Sequence, residues 1–113
     1  MLRRSQRLRN EEFVVMLEKG RATHSPLFIV RVFDKKDLTQ TKVGAVAPQK
    51  IFKTAAKRNN LRRRVYKAVE PSISELKGGL FIGIFAKQPA LLAKTDQIAA
   101  DLNDLFVKAK VLR

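Results

Sequence analysis

The longest apolar run in the chain, Leu80 to Ala86 with Gly83 inside it, constrains the fold most. It is far shorter than the roughly 20 residues needed to cross a bilayer, so it reads as a buried strand that other elements must wrap. A Gly78-Gly79 turn leads into it, and the strand is expected to run from Leu80 to Lys87. The remaining elements must therefore supply the layers that cover a sheet.

They are legible from period and punctuation. Residues 9 to 20 offer Asn10 as an N-cap, Glu11 and Glu12 in a first turn and a stop at Gly20, with Phe13, Val14, Met16 and Leu17 at helical spacing. After a connection from Gly20 to Pro26, Leu27 to Phe33 and the shorter Lys42 to Ala47 are strand-like. With the polar turn Asp34 to Thr41 between them, they are expected to be antiparallel neighbours. From Thr54 to about Glu70, Leu61, Val65, Ala68 and Val69 recur at helical spacing, and Pro71 marks the end. Thr95-Asp96 opens a final helix carrying Ile98, Leu102, Leu105 and Phe106. The order αββαβα predicts an α/β sandwich of the α+β kind, a small mixed sheet covered by helices on at least one face. At 113 residues, with no internal repeat or linker, residues 1–113 are expected to form one domain.

Charge narrows what such a domain can do. There are 24 Lys plus Arg against 10 Asp plus Glu, a formal net charge of +14, and so large an excess calls for a polyanion. The absence of a long apolar stretch argues against a membrane partner. The basic start, Met1 to Arg7, has no hydrophobic stretch after it, so no export signal is expected and a cytoplasmic location is. With no cysteine and His24 as the lone histidine, thiolate zinc sites and His-rich metal clusters are excluded.

The excess is concentrated. Between Asp37 and Glu70 there is no acidic residue, while Lys42, Lys50, Lys53, Lys57, Arg58, Arg62, Arg63, Arg64 and Lys67 fall in that interval. On a helical wheel with Leu61, Val65, Ala68 and Val69 facing the core, Asn59, Arg63 and Lys67 lie opposite, flanked by Arg62 and Tyr66. A merely solvated face interleaves acids with bases. An unbroken basic ridge repels itself until an anion covers it, and the predominance of arginine favours phosphate.

Lys57-Arg58-Asn59-Asn60-Leu61-Arg62-Arg63 resembles the signature helix of the ribonuclease P protein family. The resemblance extends over Arg7-Leu8, Glu12-Phe13 through Gly20, Lys42-Val43-Gly44, Lys50, and Phe85 to Ala90. Two positions depart from the family pattern: Asn60 and Tyr66 stand where it has arginines. The resemblance implies the protein subunit of an RNA-based endoribonuclease that removes the 5′ leader of precursor tRNA, with catalysis residing in the RNA. It also implies a left-handed crossover leading out of the basic helix, an exception to the usual rule. The partners it implies are the catalytic RNA subunit and precursor tRNA.

By the same resemblance, Lys50, Lys53, Lys57, Arg58, Asn59, Arg62, Arg63, Tyr66 and Lys67 are the expected RNA-binding residues. Phe13, Phe28 and Arg31 are the expected contacts to the single-stranded leader, with Phe13 offering a base-stacking face. No catalytic residue is expected on the protein, since His24 sits beside Ser25 in a loop and no carboxylate cluster is evident. No cofactor bound by the protein can be read from the sequence, and the holoenzyme is expected to need Mg2+. A ribosomal or ribosome-assembly protein is the competing reading, and it leaves the Arg58-Asn59 signature unexplained.

Overall fold

The computed structural model describes residues 4–35 and 40–113. Helix α1 (Asn10–Lys19) leads into strands β1 (Arg21–His24), β2 (Phe28–Asp34) and β3 (Lys42–Val46), followed by α2 (Ala55–Val69), β4 (Leu80–Ala86) and α3 (Thr95–Ala109). Mixed α and β layers are thus present in the expected order. β1 is an addition, because its sequence Arg-Ala-Thr-His lacks the apolar density that marks a strand. It is held by register against β2, with Arg21 opposite Val32 and His24 opposite Ile29.

The sheet order is β1-β2-β4-β3. β4 therefore lies between β2, which it pairs antiparallel, and β3, which it pairs parallel. This corrects the expectation that Leu27–Phe33 and Lys42–Ala47 are antiparallel neighbours. The most apolar strand takes the central place, where both edges and both faces are covered, and displaces the pairing that a short polar turn suggests. Residues 36–39 of that turn lie outside the described residues.

Strand alternation divides the sheet into two faces. Val30, Val32, Val43, Ala45, Ile82 and Ile84 point toward α2 and α3 and form the main core with Leu61, Val65, Leu102 and Phe106. Register places Arg31 opposite Gly83, and Gly44 opposite Gly83, on the other face, beneath α1. There the helix comes close enough that a Cβ on Gly44 would lie 2.1 Å from Phe13 Cζ, and one on Gly83 2.6 Å from Met16 Cε. Glycine at both positions is what lets α1 sit down on the sheet.

Helix ends are set locally. Thr54 caps α2 by accepting the Lys57 backbone N–H at 3.1 Å. α1 begins one residue earlier in capping terms than its sequence suggests: Arg9 is the N-cap, and its backbone N–H donates to Glu12 Oε1 at 2.7 Å. Asn10 is instead the first helical residue. Gly79, at φ 77°, makes the left-handed turn into β4.

Candidate nucleic-acid interface

α2 is pinned to the core by Leu61, Val65 and Val69, each at most 2% exposed. That orientation leaves Asn59, Arg63 and Lys67 exposed on the opposite side, as the wheel predicts. Lys50 and Lys53, in the segment before the helix, and Lys57 in its first turn are also exposed. The result is a continuous basic surface whose charges stand in water, where a phosphate backbone can reach them.

Not every cation of the segment belongs to it. Arg58 Nη1 donates to the Phe52 carbonyl at 2.9 Å, tying α2 back to the turn that precedes it. Arg64 Nη2 donates to the Ala93 carbonyl at 2.6 Å, across to the segment before α3. Arg62 is half-buried and donates to Asn59 Oδ1, which orders both side chains on the ridge. The Tyr66 hydroxyl accepts the Ala45 N–H at 3.1 Å, and the Arg7 guanidinium lies 5.2 Å from its ring centroid. Arg7 thus brings a cation to the α2 surface from outside the helix, over the aromatic face that attracts it. Sequence reasoning placed Arg7 only within the resemblance. Nothing in its spacing could have linked it to Tyr66, because the link is made by the Leu8 N–H donating to the Val43 carbonyl at 3.0 Å along the β3 edge.

The second candidate surface lies on the opposite face of the sheet. Phe13 is half-buried, with the tip of its ring against Gly44. Arg31 is half-buried at the middle of β2, on the face that carries α1. Phe28 does not join them. It has no exposed surface and packs in the main core beneath α2 and α3, so it supports the sheet from behind and offers no stacking face. The correction has a simple cause: residues 28 and 31 of one regular strand are an odd number apart and point to opposite faces. Parity instead brings Ile29 and Phe33, both half-buried, to the side of Arg31. The Phe33 ring meets Phe81 at a centroid distance of 6.2 Å.

One ion pair positions α1 over this face. Lys42 Nζ lies 2.8 Å from Glu12 Oε2, with both side chains less than one-fifth exposed. Burial alone would push the Glu12 carboxyl up, but the Lys42 ammonium and the Arg9 backbone N–H hold it below its ordinary value. His24 stands exposed at the end of β1 rather than in a loop, and its carbonyl accepts from Lys108 Nζ at 3.2 Å. Among the described residues no group of three or more His, Cys, Asp or Glu side chains converges to hold a metal ion. No helix among them is long and apolar enough to cross a membrane.

Residues 2–110 match the family model described as Ribonuclease P. The chain is 29% identical to a ribonuclease P protein component of Pseudanabaena sp., over 99% of this chain and 97% of that one. It is 24% identical to one of Bacillus cereus, over 93% of this chain and 90% of the relative. Among solved structures, the Staphylococcus aureus RNase P protein superposes with a TM-score of 0.87 at 25% identity, covering 96% of this chain and 98% of that one. The Thermotoga maritima protein shares the fold, with a TM-score of 0.79 at 20% identity over 90% of this chain and 96% of its own.

Proposed function

Because the chain belongs to the ribonuclease P protein family, we propose that it is the protein subunit of that enzyme, binding the catalytic RNA through the α2 ridge and the 5′ leader of precursor tRNA through the face beneath α1. Phosphodiester hydrolysis then resides in the RNA. The observation that carries this reading is the exposed row Asn59, Arg63 and Lys67 on a helix whose other side is locked into the core. The helix that carries the ridge is anchored before it binds, so the ordering cost of phosphate contact falls on the side chains and not on the backbone.

The two surfaces have separate tasks because they sit on opposite faces of one sheet. The ridge holds the large RNA. Phe13 offers the open part of its ring and Arg31 its guanidinium to an unpaired strand, by stacking and by phosphate or base-edge contact. No donor set for Mg2+ is assigned to this chain, since its described carboxylates do not converge. The ions the reaction is expected to need then fall to the RNA phosphates.

Reconstitution tests the proposal. The protein and the ribonuclease P RNA of the same organism, mixed at low Mg2+, should cut precursor tRNA at the mature 5′ end faster than the RNA alone. Rigorously RNA-free protein should not cut at all. Cleavage by the protein alone would overturn the assignment of catalysis to RNA, and failure to stimulate the RNA would overturn the assignment of the subunit.

A further inference from the structure

One feature of the α2 side is not basic. Between the first turns of α2 and the 3-10 turn Gln88–Leu92 lies a pocket of about 340 Å³, near the lower end of the roughly 300 to 1,000 Å³ usual for ligand sites. Its floor is apolar and rigid: Phe52, Leu61 and Ala90 are each at most 2% exposed. Leu92 stands at its mouth, 90% exposed, and Ala56 forms part of its wall. A single bare leucine means little. This one borders an open apolar slot set in the most cationic segment of the chain.

The rim is polar. Lys57 and Asn60 are exposed there, and the Arg64 guanidinium is held by its bond to the Ala93 carbonyl. An occupant must therefore present a flat or apolar body to the floor and negative charge to the rim. An apolar peptide side chain supplies the first without the second, and an inorganic anion the second without the first. A nucleotide supplies both, and the Asn60 amide can donate to and accept from a base edge.

We propose that this pocket takes an unpaired nucleobase of the RNA that lies along the α2 ridge. The inference rests on the reading of that ridge as an RNA surface and adds a stacking site to its phosphate contacts. It gives Asn60 a role that an electrostatic ridge does not: reading or retaining a base at the pocket edge.

The test is affinity for a transcript of the ribonuclease P RNA across a range of salt, for wild type, Ala56→Phe and Leu92→Ser. The first variant fills the slot and the second strips its mouth, and neither changes charge. Loss of a stacked base should weaken binding about five- to a hundredfold at fixed salt while the logarithmic salt slope stays at the wild-type value. Arg63→Ala, which removes a phosphate contact, should instead reduce the slope by about one. Thermal melting accompanies each variant. If Ala56→Phe melts early, Leu92→Ser decides alone, because its side chain lies in water. Variants that bind as tightly as a steeply salt-dependent wild type overturn the pocket and leave the ridge standing. A wild type whose affinity ignores salt overturns both.

Discussion

Glu12 and Lys42 form the contact on which the position of α1 turns. The pair is mostly withdrawn from water, so losing one partner leaves the other poorly compensated. Glu12→Gln is expected to cost about 1.5 to 3 kcal/mol, read by thermal or urea unfolding. The pH dependence has a definite sign. The folded carboxyl is held below its ordinary value of 4.5, so its contribution is fully present above that pH and is lost as pH falls through the lower folded value. Wild type should accordingly lose stability below about pH 4.5 more steeply than Glu12→Gln, and parallel acid limbs would count against the pair. Phe13 is the second decisive residue. Its partly open ring over Gly44 fits a stacking role, and Phe13→Ala should weaken binding of leader-bearing precursor to the reconstituted enzyme about five- to a hundredfold. Mature tRNA, which has no leader, should bind as before. A folded variant that binds precursor normally would remove Phe13 from the leader surface.

Among the elements, α2 separates its cations by what they touch. Arg62, Arg63 and Lys67 leave the core side intact when changed together to alanine, since Leu61, Val65 and Val69 remain. That triple variant should keep its melting temperature and lose assembly with the RNA. Arg58→Ala and Arg64→Ala should behave differently, because each side chain donates to a carbonyl of another segment. Each is expected to cost about 1.5 to 3 kcal/mol of stability, seen by melting before any binding assay. The sequence distinguishes these groups only partly. Helical period fixes which residues of α2 face outward, and it placed Asn59, Arg63 and Lys67 correctly. It is silent on Arg58 and Arg64, since the Phe52 carbonyl is placed by the turn before α2 and the Ala93 carbonyl by how the chain returns to α2 after β4. The strands show the same division. Alternation in β2 is enough to separate Phe28 from Arg31, but the insertion of β4 between β2 and β3 depends on a long-range parallel pairing that no local pattern encodes. β1 is faint in the sequence for a related reason: a short exposed edge strand needs little apolar content and leaves little trace.

At the scale of the whole molecule, one sheet keeps the two proposed nucleic-acid surfaces apart. α2 and α3 cover one face and build the core, while α1 covers part of the other and leaves the middle of β2 accessible. The basic ridge faces outward from the first layer and the candidate leader surface from the second. A small protein arranged this way can grip a large folded RNA on one side and a single strand on the other. On this reading the exposed part of its net charge of +14 serves binding, while cations such as Lys42, Arg58 and Arg64 hold segments of the fold together. The salt dependence of binding to the ribonuclease P RNA, measured for wild type and for Arg63→Ala with Lys67→Ala, tests this most directly. Each phosphate contact should add about 0.7 to 0.9 to the logarithmic slope. The account predicts a steep wild-type slope made shallower by about 1.4 to 1.8 in the double variant, with the melting temperature unchanged. A wild-type slope near zero, or a double variant as salt-sensitive as wild type, would contradict it.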